Sequence, residues 1–406
     1  MNLMISETLK KHKQLLNQFI TFRTAMVLTN LIVWSYYYIL LFQETGSIFT
    51  LMLEYMIFML GLYVGFVICT FFLDRVGYLF SFRFSSLLQA LSMFLILAYI
   101  NDLAVLFPLF AIIRGIGHGW YWPIEHSFNL KEMQSKERGQ VISLMEGINL
   151  LLQIAIPALA GALISFSGGY QMTFLVGGII YLVTIFIPFN YNQRAVSKIS
   201  AYEISSILQN KHFIPFAFIS FVMTGVMSLY GVLWLIIPYI LLKEEFGVGI
   251  LASIVGLVAA ITAWMDSKYS LKTRIQLGYI GFFIYSFSTF LMAVVWTVPF
   301  LVLRSMALAF TNSVGTPARS DLDYRIREKI LKDFKNESTL EMNLIVESIY
   351  AFSRIVFLTI FILIFGSIQD MSIAEEQIRL LVMIFAPIMF FVYGGFVWLY
   401  KKVKVQ

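Results

Sequence analysis

Nine ionisable side chains interrupt the apolar stretches of this 406-residue chain: Glu54, Arg114, His118, Glu125, His126, Glu146, Arg304, Glu347 and Arg354. Such groups offer three kinds of chemistry. A guanidinium is a planar fork of donors that grips a carboxylate or a phosphate. A partly desolvated carboxylate can load and release a proton near neutral pH; Glu146, with His118 near it, and Glu347 are placed for that role. Opposite charges can also simply neutralise one another, Arg114 with Glu54 and Arg304 with Glu347, which pins helices together and leaves no net positive site. Arg114, His118, Tyr121 or Trp122, and Glu125 recur at helical spacing and so share one helix face. At 1.5 Å per residue, Arg114 and Glu54 reach one level about 20 Å from the same end of their helices, and His118 and Glu146 share a lower one.

The elements that carry these groups follow from composition. Apolar residues make up 59% of the chain and charged residues 13%, about half the charge of a soluble domain. The apolar content suffices for about twelve spans of ~20 residues. A cytosolic enzyme, a nucleic-acid binder and a disordered chain are excluded. Apolar runs fall near 20–42, 47–73, 84–100, 103–128, 139–166 and 171–189, and again near 213–242, 247–265, 273–295, 297–317, 341–367 and 376–400. In hydrocarbon these must be helices, the open element that satisfies its own backbone. The polar stretch 190–212 separates an N-terminal six-helix bundle (1–189) from a C-terminal one (213–406). An ionisable group inside such helices costs several kcal/mol unless paired or wet, so each one is a site candidate.

Orientation follows from the 29 Lys and Arg residues. Arg114, Arg304 and Arg354 lie within spans, and only Lys243 and Arg379 fall on the side away from the termini. Both termini are therefore expected in the cytoplasm of a plasma membrane, and the net charge of +6 records cytoplasmic loops. The sequon at Asn336 would then go unused. The first twenty residues, with Lys10, Lys11 and Lys13, show no apolar stretch followed by a small-residue cleavage site, so no cleavable signal is expected.

The two bundles repeat each other. Asp74 after the second span corresponds to Asp266 after the eighth, Arg114 in the fourth to Arg304 in the tenth, and Glu146 in the fifth to Glu347 in the eleventh. The offsets are 192, 190 and 201 residues, the last enlarged by a longer loop. Ordered correspondences at nearly one offset mark a parallel duplication. With the motif Asp74-Arg75-Val76-Gly77, the six-plus-six layout and the polar linker, the chain resembles the major facilitator superfamily (MFS) over its whole length. It departs from the family pattern at Thr70, where a glycine is usual, and at Tyr78 and Leu79, where basic residues are usual. Gly147, Pro157 and Gly161 partly fit the fifth-helix pattern of family antiporters, with Ile156 and Ala160 in place of two glycines.

The resemblance implies a pseudo-symmetric pair of six-helix bundles that rock about a midplane site, with the first, fourth, seventh and tenth helices lining the cavity. Arg114 and Arg304 would face each other across the pseudo-twofold axis, with Arg354 near their level. Asp74, Arg75 and Gly77 would form an inward gate, Asp74 capping a facing helix N-terminus, and Asp266 would be its weaker counterpart. Trp34, Trp122 and Trp234 are deep enough for either cavity or core, while Tyr36, Tyr37 and Tyr38 suit a lipid-interface belt. Glycines 61 and 65, and 115 and 119, suit close helix packing.

Other chemistry is absent. Cys69 is a lone cysteine, His118 and His126 are too far apart for joint metal ligation, and no Walker A loop or Gly-x-Ser-x-Gly elbow occurs. The expected protein is not an enzyme and needs no cofactor or metal. It is a monomeric secondary transporter in the lipid bilayer, working by alternating access and proton-linked through Glu54, His118, Glu146 or Glu347. Its partners are protons and a small organic anion, zwitterion or amphipathic compound, not nucleic acid. A non-transporting membrane sensor or lipid-handling protein of the same fold is the alternative.

Overall fold

The computed structural model describes all residues except 1, 128–134, 167–168, 188–199, 267–268, 332–338, 366–370 and 405–406. Twelve helices form the bundle. They are α1 (Leu16–Thr45), α2 (Ile48–Leu73), α3 (Arg75–Ala98), α4 (Ile100–His126), α5 (Gly147–Phe166), α6 (Gly169–Ile185), α7 (Phe213–Leu242), α8 (Glu245–Asp266), α9 (Lys272–Val294), α10 (Val298–Gly315), α11 (Leu340–Leu363) and α12 (Ile378–Lys402). All but α6 are long and apolar enough to cross a bilayer on their own. No strand occurs among the described residues. Between α6 and α7 a short helix, Ala201–Leu208, is capped by Ser200, whose backbone N–H donates to Glu341 at the start of α11 (3.0 Å). After α10 the chain continues as a polar helix, Thr316–Leu331.

The third apolar run starts earlier than its hydropathy suggests. Helical hydrogen bonding runs from Ile48 to Ala98 and breaks only at Gly77, with φ 74° and ψ 169°. That conformation is open almost exclusively to glycine. A single residue in the first turn of α3 therefore kinks the chain where α2 and α3 meet, with helix on both sides of it.

Packing within the first half is tight where glycines meet backbone. A Cβ on Gly115 would lie 2.3 Å from the Phe58 carbonyl oxygen, and one on Gly119 would lie 1.8 Å from that of Leu62. Gly65 approaches the Ile116 carbonyl in the same way. Small residues let α2 and α4 approach to backbone contact, and this sets His118 and Trp122 beside Phe58 and Leu62. Between the halves, α2 packs on α11 and α5 on α8. Under the sequence repeat α2 corresponds to α8 and α5 to α11, so these two seams are equivalent.

Candidate functional site

A cavity of about 500 Å³ lies between the two halves. Its first-half wall comes from α2 (Tyr55, Phe58, Met59, Leu62) and α4 (His118, Trp122, His126). Its second-half wall comes from α7 (Ser220 to Ser228), the helix after α10 (Arg319, Asp323), α11 (Glu347, Tyr350, Arg354) and α12 (Phe396). On α4 and α12 these residues lie in the half of the helix nearer the chain termini, and on α7 and α11 they run from that half to mid-helix, where Ser228 and Arg354 stand. Trp122 stacks on His126, with ring centroids 5.5 Å apart, and meets His118 edge-on at 5.8 Å.

The charges in the cavity are unequally satisfied. Glu347 meets His126 across the two halves at 3.7 Å, and each keeps 15% of its side chain exposed. Asp323 pairs with Arg327 at 2.7 Å, and Arg327 also donates to the Tyr350 hydroxyl at 3.0 Å. Arg354 has no ion-pair partner among the described residues and lies 5.9 Å from the Tyr350 ring centroid. Tyr55, His118 and Glu347 fall within its electrostatic reach.

Of the expected site residues, the fold gathers His118, Trp122, Glu347 and Arg354 at this cavity and places Glu54, Arg114, Arg304, Trp34, Arg75, Gly77 and Asp266 elsewhere. Arg114 and Glu54 form an ion pair at 2.9 Å in which neither side chain exceeds 4% exposure. Arg114 donates to the Tyr38 hydroxyl at 2.8 Å and lies 4.0 Å from the Phe58 and 4.2 Å from the Trp34 ring centroids. Aromatic faces attract a guanidinium, so Trp34 serves this buried pair and does not line the cavity. Arg304 is fully buried, donates to the Tyr285 hydroxyl at 3.3 Å, and does not line the cavity either. Glu347, the partner expected for it, meets His126 instead. The side chains of Asp74, Glu146 and Trp234 lie outside the described residues. Arg75 is exposed over Phe72, and Asp266 pairs with Arg274 at 3.2 Å across the α8–α9 turn.

Two expectations need correcting. Tyr36, Tyr37 and Tyr38 are not a lipid belt; they are 1%, 1% and 5% exposed. Tyr36 donates to the Pro157 carbonyl at 2.6 Å, Tyr38 accepts from Arg114, and Tyr37 packs edge-on against Trp34. The second correction concerns the first and tenth helices: among the described residues neither α1 nor α10 contributes to the cavity wall, and the helix after α10 supplies Arg319 and Asp323. The inward face of α1 is taken up by the Arg114 cage, and α2 and α11 take its place. The face of α2 could have been found from the spacing of Tyr55, Phe58 or Met59, and Leu62. Arg319, Asp323 and Arg327, four apart on one helix, were hidden because a polar segment reads as loop.

The side away from the termini is closed. Gln43 of α1 donates to the Tyr239 hydroxyl and to Glu245, both at 2.6 Å, and Tyr170 of α6 donates to Glu245 at 3.0 Å. Below this latch α5 and α8 meet backbone to backbone. A Cβ on Gly249 would lie 2.5 Å from the Pro157 carbonyl oxygen, and one on Gly256 2.7 Å from that of Gln153. The Ala158 N–H donates to Ser253 in the same seam at 3.2 Å.

The chain is similar to known proteins in sequence model and in fold. The model of the Major Facilitator Superfamily matches residues 19–322. No curated protein sequence matches the chain. Among solved structures, a D-xylose–proton symporter superposes with a TM-score of 0.65 at 13% identity, covering 92% of this chain and 96% of its own. The human organic anion transporter MFSD10 gives 0.63 at 10% identity, covering 94% and 99%. A bacterial metal transporter gives 0.61 at 12% identity, covering 95% and 98%. At these identities the likeness is one of fold.

Proposed function

This chain belongs to the Major Facilitator Superfamily, and on that premise we propose that it is a secondary transporter working by alternating access. Residues 1–189 and 213–406 are its two moving halves, joined by 190–212, and it carries a small organic anion, zwitterion or amphipathic compound. The observation that carries this reading is the cavity of about 500 Å³ between the halves, lined on the termini side and closed off on the other by the Gln43–Glu245 latch and the α5–α8 seam. The Lys and Arg distribution supports a plasma-membrane protein with that lined side in the cytoplasm, so this is an inward-facing state. Arg354 anchors the solute there. Arg114 and Arg304 keep their halves together rather than touch it in this state.

Protons drive the cycle through Glu347. It is the carboxylate in the cavity that faces an imidazole of the other half and keeps contact with water, so its protonation can follow the rocking motion. Glu54 is sealed against Arg114 in this state and exchanges no proton with the cavity.

The test is flux in proteoliposomes with an imposed pH gradient, screened with labelled organic anions, zwitterions and amphipathic compounds. Wild-type protein should accumulate its solute against a gradient. Glu347→Gln should lose accumulation yet retain solute counterflow, because the site remains while the proton carrier is gone. Unchanged accumulation by this variant would remove Glu347 from coupling. Solute binding without any flux would make the protein a sensor.

A further inference from the structure

The deep end of the cavity is one-sided in its chemistry. Arg354, the Tyr55 hydroxyl and His118 converge there, all hydrogen-bond donors or able to be, while the carboxylates of the cavity are engaged elsewhere, Glu347 with His126 and Asp323 with Arg327. Around these donors stand Phe58, Met59, Leu62, Trp122, Met223 and Phe396. Resting on the transport reading above, we infer that the solute is a monoanion: one carboxylate, held by Arg354 and Tyr55, on an aromatic or otherwise apolar body that lies against Phe58 and Trp122.

The alternatives fit less well for physical reasons. A sugar or other polyol needs a dense set of amide and carboxylate partners, and no Asn or Gln lines the cavity among the described residues. The cavity's other arginine, Arg319, stands on the helix after α10; a phosphate monoester held by Arg354 alone would bury its second charge without a partner, which is costly. In an α-amino acid the ammonium sits about 3 Å from the carboxylate. Glu347 lies about two turns from Arg354 along α11 and meets His126 at 3.7 Å, so an ammonium held beside a carboxylate on Arg354 finds no unengaged carboxylate. A lone guanidinium beside ring faces is satisfied by one bidentate carboxylate with a flat body.

The test is equilibrium binding to the purified full-length protein in detergent, with three probes of matched shape, 1-naphthoate, 1-naphthamide and 1-naphthylmethylamine, and with D-xylose as a polyol. Naphthoate should bind at least about tenfold more tightly than naphthamide, as expected for hydrogen bonds to a charged group. Arg354→Gln should remove most of that advantage by weakening naphthoate binding far more than naphthamide binding, and Arg354→Lys should restore part of it. An unchanged thermal unfolding midpoint of the ligand-free protein shows that the variant is folded. Equal or tighter binding of the amide, the amine or the sugar overturns the inference, as does naphthoate binding that is unaffected in Arg354→Gln. Counterflow of the same four probes separates the two levels. If the amine or the sugar exchanges while naphthoate does not, the aromatic anion falls and the transporter stands. If naphthoate binds as expected but no probe exchanges, the ligand class stands and the transporter falls.

Discussion

Gly249→Ala should open the side of the protein away from the termini. The new Cβ would sit 2.5 Å from the Pro157 carbonyl oxygen and 2.7 Å from the Tyr36 hydroxyl. Ordinary contact is near 3.5 Å, so the α5–α8 seam must widen by roughly 1 Å. Overpacking of this kind costs about 1–3 kcal/mol. On the proposed alternating-access cycle α5 and α8 belong to different halves and separate as the halves rock, so the strain should exist only while the seam is closed. The cost is therefore a bias between states, and about 1–3 kcal/mol shifts their ratio by about 5- to 150-fold. The reporter is Ala158→Cys, placed in the seam opposite Ser253. Native Cys69 is buried and gives little background. Labelling by a membrane-impermeant maleimide, added on the side away from the termini, should accelerate when Gly249→Ala is introduced into the Ala158→Cys protein. Gly119→Ala is the control. Its Cβ would lie 1.8 Å from the Leu62 carbonyl oxygen, but α2 and α4 are in one half and do not part during rocking. That variant should lower thermal stability without speeding labelling. If Gly249→Ala leaves the labelling rate unchanged, or Gly119→Ala raises it as much, the seam is not a moving gate.

Two further outcomes follow from the structure. Glu54→Gln leaves the Arg114 guanidinium buried without a countercharge, which should cost about 3–5 kcal/mol in thermal or denaturant unfolding; replacing both residues with Gln should recover part of the loss, and a single variant as stable as wild type would contradict the pairing. Gly77→Ala forces a side chain into a backbone conformation with φ 74° and should cost about 1–3 kcal/mol. Open space surrounds that position, so the loss should be the same for Ala and Ser, and a loss that grows with side-chain size would point to crowding instead.

The chain's order and hydropathy determine a good deal by themselves. A run of ~20 apolar residues in hydrocarbon has no alternative to a helix, because its backbone must bond to itself. The helical spans and the suitability of Gly61, Gly65, Gly115 and Gly119 for close packing were legible on that basis; that these glycines join α2 to α4 was not. The level shared by Glu54 and Arg114 followed from helical rise alone. What the sequence left open was which partner each charge meets. Rise fixes depth, but partner choice depends on how each helix is rotated about its axis and which neighbour it faces, and these are set by packing among all twelve. Hence Arg114 was legible as a buried charge but not as the centre of an aromatic cage, and the tyrosines of α1 read as a belt when they are core. Arg304 and Glu347 share a half, yet Tyr285 meets one and His126 of the other half meets the other. Arg354 became a cation of the cavity with no ion-pair partner among the described residues only through tertiary structure, because an ion pair is a property of two surfaces brought together, and no pattern along one strand of sequence contains the second surface.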